Sequence, residues 1–242
     1  MSSVAFIPDG EVRARPTDLF PATTPADWQA HADLLDTSGR LVAGVGSFLV
    51  RSGDHIALVD LGLGELDMET PAGASYRGGD LIANLAAAGV APVAVDLVVY
   101  THLHRDHVGW TSSDGLLTFA NARHVVHEDE WEHWQHNPSP VGPDRRTVLD
   151  VLRDRIEFCA DGDELADGLR VIATPGHTPG HLSVAAGSVV IAGDVLHSPA
   201  QLHHPDWCFG SDHDPVRAAA SRRLLLDRYG PDVLACGHFT RC

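Results

Sequence analysis

The segment that most constrains this chain is Thr101-His102-Leu103-His104-Arg105-Asp106-His107, set directly behind the apolar run Leu97-Val98-Val99-Tyr100. A short apolar run of this kind reads as a buried strand. Its end therefore delivers three imidazoles and a carboxylate to one point on a sheet edge. Borderline divalent cations favour neutral imidazole and carboxylate as ligands. A lone histidine is usually solvated or hydrogen-bonded, but the pattern H-x-H-x-D-H behind a strand reads as a metal site. Similar tails recur. Thr174-Pro-Gly-His177-Thr-Pro-Gly-His181 follows Leu169 to Ala173, Ala192-Gly193-Asp194 follows Val189 to Ile191, and Cys236-Gly237-His238 ends the last strand. Glycine lets the backbone turn sharply beside a ligand.

With 242 residues, 44% of them hydrophobic and 21% charged, the chain has the composition of a globular protein that can bury a substantial core. No run approaches the roughly 18 apolar residues of a membrane span. The N-terminus shows no basic region followed by a long apolar one, so a cytoplasmic location is expected. A formal charge of −16 argues against nucleic acid or another polyanion as partner. All 17 basic residues are arginine, which fits a GC-rich coding bias and removes Schiff-base chemistry. Cys159, Cys208, Cys236 and Cys242 have no C-x-x-C spacing, and reduced thiols are expected.

Leu41 to Val50 and His55 to Leu61 read as a hairpin around Arg51-Ser52-Gly53-Asp54. A helix is expected at 80–88 with Asp80 as its N-cap, and another at 215–229 with Asp214 as cap and Pro215 at its first position. Further helices are expected at 128–135 and 147–156, and strands at 169–174, 181–186, 189–193 and 232–236. The Pro-rich loop 137–143 suggests a boundary, near 137–160, between two similar halves of one domain. Strand-rich halves that each carry helices predict two sheets packed face to face with helices outside.

From about Gly46 to His238 the chain resembles the metallo-β-lactamase-fold hydrolases. The resemblance rests on Val59-Asp60 with Gly62, the H-x-H-x-D-H cluster, His177, Asp194 and His238. It implies an α/β four-layer αβ/βα sandwich of two mixed sheets flanked by helices. It also implies two divalent metal ions, zinc first, with manganese, iron or cobalt as alternatives. His102, His104 and His177 would hold one ion, and Asp106, His107 and His238 the other. Asp194 and a hydroxide would bridge them, and Asp106 would thereby share in catalysis. Asp60 is read as the acceptor that fixes an imidazole's tautomer, and His181 as a supporting rather than a ligating residue. No G-x-S-x-G elbow offers a serine mechanism.

Within that family the chain looks most like the acyl-homoserine-lactone lactonase and methyl-parathion-hydrolase branch. His197 stands three residues after Asp194, where lactonases commonly carry tyrosine. It is expected to hydrogen-bond the substrate oxygen or protonate the leaving group. The expected activity is hydrolysis of a small ester or lactone. Phosphotriester hydrolysis is the alternative, and a catalytically idle binding protein is the alternative of another class. His204, Trp207 and Phe209 are candidates for the substrate wall, with Phe20, Trp28 and Phe48 as further guesses. The run from His127 to His136 reads as a helix with Trp131 and Trp134 inside and its charges outside. A homodimer is conceivable.

Overall fold

The structure, a computed structural model, describes residues 2–239; Cys242 lies outside the described residues. The chain begins with β1 (Ser3–Ala14), β2 (Leu41–Ser52), β3 (His55–Val59), β4 (Leu66–Glu69), β5 (Ser75–Gly78) and β6 (Leu97–Val99). It continues through β7 (Ser112–Ser113), β8 (Leu116–Leu117), β9 (Arg123–His127) and β10 (Ile156–Cys159). The remaining strands are β11 (Glu164–Ala166), β12 (Leu169–Ala173), β13 (Leu182–Ala186), β14 (Val189–Ile191) and β15 (Leu234–Ala235). Eight strands form a mixed sheet in the order β10-β9-β6-β3-β2-β1-β5-β4, and β11 to β15 form a second sheet in chain order.

Strand alternation explains the layering. In the first sheet Ala57, Val59, Leu97, Val99 and Val125 point one way, and they pack against Leu169, Val171, Leu182, Val184 and Ile191 of the second. Their neighbours Leu58, Val98 and Val126 point the other way, into a core with Leu81, Leu85, Trp131, Trp134, Leu149 and Leu152 from the helical layer. Beyond the second sheet, Ile172 and Val190 pack on Leu225 of helix Pro215–Tyr229. The result is the expected four-layer αβ/βα sandwich. No helix among the described residues is long and apolar enough to cross a membrane.

The hairpin β2–β3, helix Leu81–Ala87 and helix Pro215–Tyr229 stand where the sequence suggested. Asp214 caps the last of these by accepting from Arg217 N. Asp80 makes no side-chain cap. Its expected role passes to Asp9, which sits where the β1–β2 register shifts between Pro8 and Gly10. Asp9 is fully buried. Its Oδ1 accepts from Gly79 N, Leu81 N and Trp110 Nε1, and its Oδ2 from Leu63 N and Gly64 N, over 2.7–3.1 Å.

Two further expectations change. The helix expected at 147–156 is a π-turn at Arg145–Leu149 and one helical turn at Asp150–Leu152, and the chain then enters β10 at Ile156. The strand expected at 232–236 is a 3-10 turn followed by the short β15.

Candidate metal centre

β3, β6 and β9 run parallel, and so do β14 and β15, so the chain leaves several strands at one rim. Asp60 follows β3, the H-x-H-x-D-H loop follows β6, His177 follows β12, Asp194 follows β14 and His238 follows β15. The β6 ladder ends at Val99, so His102 and His104 lie on an extended loop rather than on a strand. Alternation persists there. Leu103 is fully buried in the helix-side core, while the imidazoles on either side of it face the rim.

Asp194 organises the centre. Its Oδ2 lies 3.6 Å from His102 Nε2, 3.3 Å from His177 Nε2 and 3.1 Å from His197 Nε2. Its Oδ1 lies 3.2 Å from His107 Nε2 and 3.0 Å from His238 Nε2. His104 Nδ1 sits 3.1 Å from His102 Nε2 and 2.9 Å from His177 Nε2. Asp106 Oδ2 is 3.8 Å from both His107 Nε2 and His238 Nε2. One group of ligand atoms, from His102, His104, His177 and Asp194, lies within 4.8 Å of one another, and Asp106, His107 and His238 form a second. Asp194, His197 and His238 meet the same criterion, which brings His197 closer to the cluster than its sequence position suggested.

The outward-facing ring nitrogens are held from behind. His107 Nδ1 donates to Asp60 Oδ2 at 2.8 Å, and His238 Nδ1 donates to Gly44 O at 2.9 Å. Thr101 Oγ1 donates to Asp60 Oδ2 and so receives the proton of His102 Nδ1, 3.0 Å away. His177 Nδ1 donates to Asp212 Oδ1 at 2.8 Å. Each of these bonds turns Nε2 toward Asp194, where its lone pair can serve a ligand once any proton on it is displaced. His181 is spent differently. Its Nε2 accepts Asp194 N at 2.9 Å and its Nδ1 donates to Thr174 O, so no lone pair remains for a ligand role. Gly193 makes this contact possible: at φ +57 it turns the chain, and a Cβ there would meet His181 Nε2 at 2.7 Å.

These residues fit a cation. His107 Nε2, Asp194 Oδ1 and both ring nitrogens of His197 are buried without a hydrogen-bond partner. Such atoms cost about 1–3 kcal/mol each when nothing meets them. Burial and the neighbouring imidazoles push His102 and His104 well below the ordinary imidazole range. Burial opposes charge on His177 as well, but hydrogen bonds to Asp194 and Asp212 outweigh it and carry its pKa up to about 9. Burial works against the Asp194 carboxylate too, yet the facing imidazoles His107, His238, His197 and His102 hold it well below the carboxylate range. Protons thus stand where a cation would, and a cation that binds must expel them.

Residues 42–238 match the metallo-beta-lactamase superfamily. The chain belongs to that superfamily. It is 30% identical over 199 residues to Metallo-beta-lactamase domain-containing protein 1 of Xenopus laevis, across 80% of this chain and 74% of that one. It is also 30% identical over 172 residues to the N-acyl homoserine lactonase AttM of Azorhizobium caulinodans, where the match spans 65% of this chain and 63% of the lactonase. The fold is that of AidC, a dizinc quorum-quenching lactonase, with a TM-score of 0.83 at 23% identity over 98% of this chain and 87% of AidC. The hydrolase AbOPH superposes at 0.80 with 26% identity, over 99% and 87% of the two chains. The protein is a metal-dependent hydrolase of this superfamily.

Above Asp194 opens a cleft of about 520 Å³, within the range of small-molecule sites. Of the wall candidates from the sequence, Phe209 lines it and stacks on His197 with ring centroids 3.7 Å apart and planes 5° apart. His204 and Trp207 do not line it. They stack on each other, and Trp207 packs on Trp28 and Phe20 behind the cleft wall. Apolar rings there find a better partner in one another than in a water-filled opening. Phe48 lies beneath the cluster beside His107 and His238.

The site also uses residues the sequence analysis passed over. Asp212, a polar residue in a loop, carries no local signal of its contact with His177. Glu130, read as an outward charge, is fully buried, and this corrects the reading of helix Glu128–His136. Its Oε1 accepts from Leu103 N and Trp134 Nε1, and its Oε2 from Gly180 N, which ties the His102–His104 loop to the His177 loop. The i,i+4 spacing of Glu130 and Trp134 puts both on one helix face, and that periodicity was the available clue.

Proposed function

We propose that the protein is a dinuclear-metal hydrolase that cleaves a small ester or lactone. The observation that supports this most is the division of labour at Asp194, with one oxygen facing His102 and His177 and the other facing His107 and His238. His102, His104 and His177 would hold one ion, Asp106, His107 and His238 the other, and Asp194 would touch both. Two such ions supply water ionised near neutral pH and polarise a carbonyl or phosphoryl oxygen. Nitrogen and oxygen donors alone suit zinc, and equally manganese, iron or cobalt.

The chain's own residues set the rest. Asp60 and Asp212 keep the imidazole lone pairs pointed inward. His197, buried between Phe209 and Asp194, turns its ring to the cleft floor, where it can donate a hydrogen bond to the substrate oxygen. Val12, Leu19, Ala43, Leu63, Met68 and Val141 give the cleft an apolar wall that excludes water from one flank of the substrate. The lactone hydrolysis for which the lactonase relatives are named agrees with a cyclic or open-chain ester in that space.

A hydrolysis panel of homoserine lactones, aryl esters, β-lactams and phosphotriesters, run with metal-loaded and chelator-treated protein, tests the reading. A lactone or carboxylic ester should lead by catalytic efficiency, and a leading phosphotriester would favour the alternative. Activity that survives complete metal removal would end the proposal. His197→Phe should lower kcat while the metal content stays at two per chain; metal loss would make His197 a ligand instead.

A further inference from the structure

Metal-facing groups aside, two charged side chains line the cleft, Asp18 and Arg105. They are not equivalent. Asp18 Oδ2 accepts from Arg15 Nε at 2.9 Å, so its charge is already met. Arg105 forms no ion pair or side-chain hydrogen bond with any described residue. Asp144, which lines the adjoining groove with Arg105, is occupied: its Oδ1 accepts from Arg146 N, Thr147 N and Thr147 Oγ1. Arg105 and Asp144 attract at a distance, but no acceptor among the described residues is bound to the guanidinium, so its donors stay open to a ligand in a chain of formal charge −16.

The backbone of Arg105 is anchored, while its exposed side chain is left to reach for a ligand. The residue lies between His104 and Asp106 in the chain, and its backbone N donates to Val141 O at 2.9 Å on the facing wall. Together with Leu63 it stands on the ridge shared by the cleft and a neighbouring groove of about 480 Å³. Tyr76, half-buried in the same wall, has a hydroxyl without a hydrogen-bond partner among the described residues. Arg105 and Tyr76 line the same cleft, so a guanidinium and a hydroxyl donor face one space, with the Asp106 carboxylate also within electrostatic reach of the phenol. Guanidinium matches a carboxylate in shape as well as charge. A phosphate dianion would ask for more positive charge than this wall provides.

We infer that Arg105, assisted by the Tyr76 hydroxyl, receives a carboxylate at the far end of an otherwise apolar acyl group, so that the enzyme prefers acidic esters to neutral ones. The inference rests on the hydrolase reading. The reacting carbonyl lies over Asp194, the methylene chain runs along the apolar wall, and the distal carboxylate reaches the ridge. Hydrolysis is otherwise ordinary: water adds its hydroxyl to the acyl carbon, and its proton leaves with the alcohol.

The test compares 4-nitrophenyl hexanoate with mono-4-nitrophenyl adipate, matched in chain length and differing in one terminal carboxylate, on metal-loaded protein. Hydrogen bonds to charged groups and partial solvent exposure together lead to an expected preference in kcat/KM of about tenfold for the adipate at low salt. The preference should shrink as salt is raised. It should be lost in Arg105→Gln, reversed in Arg105→Glu and partly kept in Arg105→Lys. Hydrolysis of the hexanoate shows that each variant is folded and loaded. Equal rates on the two esters, or an Arg105→Gln variant that slows both by the same factor, would overturn the inference and leave the hydrolase reading standing. Turnover of no ester at all would overturn both.

Discussion

Asp212→Ala separates the two halves of the metal centre. The substitution removes the acceptor that His177 Nδ1 uses at 2.8 Å and the one that Phe209 N uses at 2.8 Å. His177 then loses the bond that fixes its tautomer and ring orientation, and its Nε2 no longer has to face Asp194. Loss of such a partner typically costs 10–100-fold in metal affinity, or about 1.4–2.7 kcal/mol. In the proposed two-ion centre the penalty would fall on the ion held with His102 and His104. The other group is anchored elsewhere, through Asp60 and Gly44 O, and should move by no more than about twofold. Titration of the metal-free protein with zinc against a chromophoric chelator resolves the two steps. One step should weaken by the stated factor and the other should hold. Equal weakening of both steps, or no shift beyond about twofold in either, would refute the reasoning.

Asp60→Asn should weaken both steps of the same titration, because Asp60 holds His107 directly and His102 through Thr101; an effect on one step alone would contradict that double reach. Burial pushes His124 from the ordinary 6.5 down to about 4, so the unfolded chain takes the proton first. The associated stability is complete above pH about 6.5 and is lost as pH falls toward 4, by roughly 3 kcal/mol. Urea unfolding should show a smaller acid loss in His124→Gln than in the wild type, by about that amount, with the remainder coming from other buried imidazoles such as His102 and His104. Asp9→Ala leaves the backbone donors of Leu63, Gly64, Gly79 and Leu81 unmet and should cost at least about 3 kcal/mol of unfolding free energy. A loss below about 1 kcal/mol would mean that water reaches those donors.

The metal-facing residues were legible in the sequence because their signal is local. Each sits a few residues beyond an apolar strand, with His177, Asp194 and His238 directly beside glycine, and the structure brings these tails to one rim. β1 was missed for an equally local reason: Pro8-Asp9-Gly10 looks like a turn and is instead an irregularity in a long strand. The 147–156 segment has an amphipathic look, but β9 offers an open parallel edge that draws residues 156–159 into the sheet. Asp212 escaped because its partner His177 lies 35 residues away, and Glu130 because its i,i+4 link to Trp134 hints at burial but not at its bonds to Leu103 and Gly180, 27 and 50 residues away.

The cleft's apolar flank comes largely from β1, β2 and the β4–β5 hairpin, whereas the cation-gripping loops leave the ends of other strands. The apolar part of recognition is thus written largely apart from the chemistry, with Arg105 on a histidine loop as the exception. For the proposed ester substrate, residues 66–75 are the part to exchange to fit a longer, shorter or differently branched acyl group, because Leu63 and Gly64 are held by Asp9 next to the histidine loop. Anyone wishing to retarget this scaffold should randomise that hairpin first.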